Sequence, residues 1–300
     1  MVRLAAVLFL LLIGPVLTVH AQMTPAEATP LGVLKLRENL FLITGGSPNT
    51  GGSAITVVFV RSTDVVVIDT KGPRPWWGEA IADEVKRLTR LPITTIINTS
   101  SAGDHVAGNI TLVNNRIDII AHEHAAADMR KMTLMFTTPT GGGLPTRTFK
   151  DRLTVGSGPD RLDLYYFGAA HCDSDIFVMI PAVRVLVTGD AFGGKFLPAL
   201  GRNNGGDGVE YPKTLTKALP LTRNVDMIIT GHGGVAKPHD LEVHRDFMRD
   251  LLESARQAKK AGRTAAAAAK AWRVPARYVG YEAEPARVLG AMEWIYRQLP

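Results

Sequence analysis

The chain has one cysteine in 300 residues, Cys172, so no intramolecular disulfide can form and stability must come from a packed core. It also lacks a basic run: the formal charge of +6 belongs partly to Arg3, and the remaining excess is dispersed from Arg61 to Arg297. Dispersal of this kind marks a solvated surface and argues against a nucleic-acid partner. No unbroken apolar run reaches the roughly 20 residues that a membrane span requires. The best candidate, Leu4 to Val19, is interrupted by Gly14 and Pro15. A phosphate loop is missing as well. Gly189 to Lys195 matches Gly-x-x-x-x-Gly-Lys, but Phe196 stands where Ser or Thr would bind magnesium.

What is present begins with an export signal. Arg3 supplies a short basic start, the apolar run follows, and Val19-His20-Ala21 offers a small-residue cleavage site. A signal peptide over residues 1–21 is expected, with a periplasmic or secreted mature chain that starts near Gln22 and keeps no stable membrane span. The remainder, in a chain with 46% hydrophobic and 21% charged residues, suits one soluble α/β domain, and no second one is required.

Short β-rich runs at Leu40 to Thr44, Ser53 to Val60 and Asp64 to Asp69 read as consecutive antiparallel strands. After Pro73 and Pro75, Ile81, Val85 and Leu88 recur at helical spacing within Trp77 to Arg90. Strands are expected at Ile93 to Asn98 and Ile117 to Ala121, with Asp104 capping a short helix toward Val113 and another helix over Ala125 to Met132. Thr137 to Thr148, with Gly141 to Gly143, reads as a long mobile loop without core residues. Later strands are Leu162 to Phe167, Ile176 to Ile180, Val183 to Thr188 and Val225 to Thr230. A long helix runs from after Pro238 to Gly262, followed by helices at Thr264 to Trp272 and Ala286 to Leu299.

Loops that follow buried strands are where α/β proteins place ligands, and four of them hold Asp104-His105, His171, Asp190 and His232. Singly, each residue has a plainer reading: a helix cap, a turn, a hydrogen-bonded loop histidine. Cys172, beside His171, could be a reactive thiol or a replacement metal ligand; the preferred reading is a small residue packed under the site. His122 and His124 read as surface polar, and His239 and His244 as solvated. Lys71 and Lys195 read as residues of the cleft mouth without a site role.

Together the four loops carry a resemblance. Ile96 to Asn109, Ile-Ile-Asn-Thr-Ser-Ser-Ala-Gly-Asp-His-Val-Ala-Gly-Asn, resembles the His-x-His-x-Asp-His loop of the metallo-β-lactamase superfamily, with Ser100 and Ala102 in the first two histidine places. Gly168 to Asp175 is similar to its third-histidine loop, Val187 to Ala191 to the strand end with its bridging aspartate, and Ile229 to Gly233 to its last-histidine loop. The resemblance implies a four-layer αβ/βα sandwich over 22–238, with a C-terminal helical extension, 239–300, packed on the same domain.

It further implies that one metal position keeps only His171 and is empty or water-filled, since zinc usually needs at least three protein ligands. The other position would keep Asp104, His105, Asp190 and His232. One ion is expected, zinc first, with iron or manganese also compatible with nitrogen and oxygen ligands. Asp69 would brace the metal loops. The implied function is an exported mononuclear hydrolase of a small molecule, an ester, lactam or phosphodiester. His171 and Asp104 are its candidate catalytic residues, with His171 as general base and Ser100 holding the attacking water. Two alternatives stay open: a catalytically inactive member that binds a ligand or partner, and an inactivated variant of a two-metal enzyme. Oligomeric state is left undetermined.

Overall fold

The structure, a computed structural model, describes residues 31–45, 54–72, 76–112, 116–132, 142–201 and 205–300. The expected signal peptide, Pro73, Pro75 and residues 137–141 of the expected loop lie outside the described residues.

The first sheet takes β1 (Gly32–Arg37), β2 (Leu40–Thr44), β3 (Thr56–Val60), β4 (Val65–Ile68), β5 (Ile93–Ile97), β6 (Asp118–His122) and β7 (Arg147–Phe149) in that spatial order. The second takes β8 (Arg152–Val155), β9 (Leu162–Tyr166), β10 (Ile176–Ile180), β11 (Val185–Gly189), β12 (Met227–Thr230) and β13 (Val235–Ala236), again in order. Pairing is antiparallel from β1 to β4 and parallel from β4 to β7; in the second sheet only β11 and β12 are parallel.

Alternation along the strands sets the layering, because successive side chains leave a strand on opposite faces. Val57, Phe59, Val66 and Ile68 of the first sheet meet Ile176, Val178, Ile180, Val185 and Val187 of the second in one shared core. Their neighbours Val58, Val65 and Val67 face outward onto Ile81 and Val85 of α1 (Trp77–Leu88) and, beyond α2 (Gly103–Val106), onto Leu112 of α3 (Asn109–Leu112). Met129 of α4 (Glu123–Lys131) closes a small cluster with Val106 and Ala107.

On the far side, Phe177, Met179, Leu186 and Ile228 pack against α5 (Tyr211–Ala218), α6 (Pro238–Lys260), α7 (Ala265–Ala271) and α8 (Pro285–Gln298). The result is four layers, αβ/βα, with both sheets buried on both faces. In α6, Leu241, Phe247, Met248, Leu251, Leu252 and Ala255 recur at helical spacing and all are buried. Its first turn is tied by the Lys237 N–H donating to the Asp240 carboxylate at 2.8 Å, and Gly262, with φ 71°, ends it.

Several expectations need correction. Asp104 caps nothing: it lies inside α2, whose N-cap place belongs to Ala102 and has no side-chain cap. Part of the expected loop is structural, for Thr148 lies in β7 and Leu144 packs on the cluster around Met129. His122 is buried, stacked on Tyr166 at 3.8 Å, with Nε2 2.8 Å from Lys150 O. His244 is buried among Phe192, Phe247 and Tyr281. Lys71 does not line a mouth; it is fully buried and its Nζ donates to Ala54 O at 2.7 Å and Gly45 O at 3.1 Å. The strands β1, β7, β8 and β13 and the helix α5 were not anticipated. Each strand is short or sits at a sheet edge, as β1 does with Val33 and Leu34 41% and 51% exposed, and so lacks a hydrophobic period to read, whereas α5 spans only two turns and one of its buried positions is the polar Thr214.

Candidate metal centre

Parallel pairing sends the ends of β4 and β5 to one edge of the first sheet, and the ends of β9, β11 and β12 to one edge of the second. Open α/β sheets place ligands beyond such strand ends. Asp69 leaves β4, the loop 98–105 leaves β5, His171 follows β9, Asp190 follows β11 and His232 follows β12. The two edges are stitched by backbone bonds from Ile176 N to Thr99 O, 2.9 Å, and from Ile55 N to Gly231 O, 2.8 Å. Gly189 permits the close approach: its φ is 49°, and a Cβ there would collide with the Thr99 side chain.

At the centre stands Asp190. Its Oδ2 is 3.2 Å from His105 Nε2 and 3.5 Å from His171 Nδ1, and its Oδ1 is 3.1 Å from His232 Nε2. Asp104 Oδ2 reaches His232 Nε2 at 3.4 Å. Ligand atoms of Asp104, His105 and His232 all lie within 4.8 Å of one another. The structure thus gathers four of the five expected residues around one point. His171 also touches Asp190, but its ligand atom groups with Cys172 and Asp175.

His105 is oriented from behind. Asp69 Oδ2 accepts from Nδ1 at 2.7 Å, and Asp69 in turn accepts from Thr99 N at 2.8 Å and Thr99 Oγ1 at 2.6 Å. These bonds hold Asp69 at φ 60°, a left-handed conformation that is uncommon outside glycine. With Nδ1 donating to Asp69, Nε2 points at Asp190, yet it is too poorly aligned to make a hydrogen bond there and is buried without a partner. Asp190 Oδ1 is likewise buried without a well-aligned hydrogen bond, its nearest charged neighbour being His232 Nε2 at 3.1 Å.

Charge follows from this crowding. Burial pushes the His105 pKa down, but Asp190 and Asp69 on its two nitrogens hold it well above the ordinary value. Burial also opposes charge on Asp190, and the three surrounding histidines nevertheless hold its carboxyl well below the carboxylate range. His232 is raised because Asp190 outweighs burial, whereas His171 is lowered because burial outweighs Asp190 and Asp104. Something positive must therefore sit between Nε2 of His105 and the carboxylates. Protons on imidazoles or a divalent cation both satisfy that need, and two imidazoles with two carboxylates fit zinc, iron or manganese.

The replaced histidine places look different. Ser100 is fully buried and Ala102 is 5% exposed, and Ser100 Oγ accepts from Ala102 N at 3.2 Å. Two contributors escaped the sequence reading. Tyr211 donates its hydroxyl to Asp190 O at 3.0 Å, and Asp175 Oδ2 accepts from Cys172 N at 2.7 Å. Tyr211 carried no local signal, while Asp175 was visible as an acidic residue in the loop of His171. Cys172 itself is fully buried.

The metallo-beta-lactamase superfamily model matches residues 49–232, which span all four ligand loops. The chain belongs to that superfamily. The metallo-beta-lactamase type 2 of Bacteroides fragilis is 25% identical over 176 residues, 59% of this chain and 68% of that protein. The one from Bacillus sp. (strain 170) is 24% identical over 181 residues, 60% of this chain and 66% of its own length. Among solved structures, DIM-1 metallo-beta-lactamase aligns with a TM-score of 0.62 at 18% identity, covering 75% of this chain and 99% of that one. The stereoselective inverting sec-alkylsulfatase Pisa1 from Pseudomonas sp. aligns with a TM-score of 0.73 at 15% identity, covering 89% of this chain and 50% of that one. These likenesses of structure show the fold. At 89% of the chain, the second must reach past residue 232 into the C-terminal helices of this superfamily member.

Proposed function

We propose that this member of the superfamily is an exported metal-dependent hydrolase of a small-molecule substrate, working with one ion held by Asp104, His105, His232 and Asp190. The observation that carries the reading is the pair of buried atoms without a well-aligned hydrogen bond, His105 Nε2 and Asp190 Oδ1, beside ligand atoms of Asp104, His105 and His232 that all lie within 4.8 Å of one another. When bound, the ion, zinc in the first instance, would polarise a substrate oxygen and lower the pKa of a water toward neutrality. Asp69 holds the His105 ring in the tautomer that presents Nε2, the carboxylate–histidine arrangement that orients metal-ligating imidazoles.

His171 is the proposed general base. Burial keeps it below the ordinary histidine range and so neutral at pH 7, and its side chain is 16% exposed, which leaves it reachable. Ser100 contributes less than its place in the loop promised, since its oxygen is already bonded to the turn. The reaction classes are ester, lactam and phosphodiester hydrolysis. A sulfate ester joins the panel because an alkylsulfatase shares the fold over more of this chain than the lactamase does.

The test is metal analysis of the purified protein together with hydrolysis of that four-member panel. About one tightly held divalent ion per chain in this four-ligand site, with turnover of at least one substrate that His171→Ala slows by about 100-fold or more, is the expected result. Protein that binds no ion and turns over nothing would overturn it. One observation favours a second reading, a binding protein without turnover: buried Ser100 and Ala102 offer no ligand on their side of the cleft. That reading predicts a loaded ion and substrate-like ligands bound but recovered unchanged.

A further inference from the structure

His171, Cys172 and Asp175 lie in one loop, and their ligand atoms all fall within 4.8 Å of one another. Cys172 Sγ is 3.2 Å from His171 Nδ1, close to the roughly 3.5 Å that separates sulfur and nitrogen ligands on one tetrahedral ion. The third member supplies the independent sign. Asp175 is 1% exposed, its Oδ2 accepts from the Cys172 N–H, and its Oδ1 is buried without a partner. A buried carboxyl oxygen in that state leaves an acceptor position that a bound cation would fill. The Asp190 carboxylate stands next to this group as well, its Oδ2 3.5 Å from His171 Nδ1 and 3.2 Å from His105 Nε2.

We propose that His171, Cys172 and Asp175 form a second divalent-metal site, an imidazole, thiolate and carboxylate set, with Asp190 placed between it and the Asp104, His105 and His232 set. The ligands that Ser100 and Ala102 no longer provide on one side of the cleft are replaced from the other side by the loop that follows β9. Thiolate and carboxylate together balance a divalent charge, and the soft sulfur favours zinc, cobalt(II) or cadmium over magnesium or manganese. Binding requires Cys172 to lose its proton to solvent, so uptake is accompanied by proton release.

This site stands apart from the hydrolytic reading, which concerns the protein with the first site loaded. Filling the second site takes His171 Nδ1 and removes that ring from proton transfer, so the rate should fall by about the factor that His171→Ala gives.

Cobalt(II) titration of the metal-free protein tests the proposal without any substrate. The wild type should bind about two ions per chain and show a near-ultraviolet thiolate-to-cobalt charge-transfer band. Cys172→Ser should lose the band and one ion, while His232→Ala should lose the other ion and keep the band. Asp175→Asn, which retains an acceptor for the Cys172 N–H, should weaken the band-forming event by about tenfold or more. No band in the wild type, or a band that persists in Cys172→Ser, overturns the second site. If Cys172→Ser does not fold, as judged by circular dichroism, the wild-type band and the Asp175→Asn titration still decide. Loss of the band-free ion alone in His232→Ala bears only on the first site, so the failure of each reading is separately visible.

Discussion

The two sides of the Asp190 carboxylate are built differently. On one side Asp104, His105 and His232 stand as the family loops lead one to expect, with Asp69 and Thr99 locking the His105 ring from behind. On the other, Ser100 and Ala102 stand buried in the loop after β5, and the nearest candidate ligands are His171, Cys172 and Asp175 from a different loop. The difference teaches that one frame of strand ends can present different side chains on its two sides. The frame is carried by backbone bonds and a buried core, which do not depend on which side chains point into the cleft.

The sharpest way to break the comparison is at the carboxylate both sides share. Asp190→Asn keeps the shape but removes the charge that faces His105, His171 and His232. Metal retention and hydrolysis should both drop by about 100-fold or more, measured by equilibrium dialysis and initial rates. If the protein keeps its ion and its rate, the carboxylate is not the centre of the site.

A smaller loss is expected from Asp69→Asn, since that residue touches His105 and not the ion. Metal affinity should fall by about 10- to 100-fold while the folded state survives. An unchanged affinity would mean that the intact side needs no bracing.

Restoring the family pattern probes the altered side. Ser100→His with Ala102→His places imidazoles at two buried positions, and overpacking should cost about 1–3 kcal/mol in the metal-free protein. Added zinc should recover that loss if the rings reach a common ion, read as a zinc-dependent rise in the unfolding midpoint. No rise would show that the backbone of the loop has moved too far for the old geometry.

The mildest effects lie outside the centre and concern pH. Burial pushes the His122 pKa down to about 4, helped by His124, and pushes His244 down to about 3. Both are neutral in the folded protein, while the unfolded chain takes up protons near pH 6.5. Stability from these groups is therefore complete above about pH 6.5 and is lost as pH falls from there toward about 4 and about 3, at up to about 1.4 kcal/mol per pH unit for each. His244→Phe should flatten that slope, while at neutral pH the relief of the buried, unpartnered Nε2 is offset by loss of the Nδ1 that faces the Tyr281 hydroxyl at 3.4 Å, leaving a change of about 1 kcal/mol or less. Thermal melts at several pH values check both points, and an unchanged slope would sink the assignment to His244.

The layered fold was legible because hydrophobic alternation is a local property. Val57, Phe59, Val66 and Ile68 could be read as strand residues from their own neighbours, and α6 from its repeating Leu, Phe and Met. The metal loops were legible for a related reason, since Asp104-His105, Asp190 and His232 each follow a recognisable strand. What escaped were strands too short for a period, such as β7 and β13, and side chains whose burial is settled by distant partners. His122 looked polar until Tyr166 stacked on it, and His244 until Phe192 and Tyr281 enclosed it.

By itself, then, the sequence determined the order of the strands, the helices that cover them and the loops that bear the acidic and imidazole groups, because each rests on patterns a few residues long. Only the tertiary structure decided which of those groups share a centre. Asp190 meets His105 across 85 positions of chain because strand ends from two sheets are brought to one edge and pinned there by backbone bonds. Sequence spacing carries no record of that meeting, since it is set by how two sheets pack rather than by how far apart their residues stand along the chain.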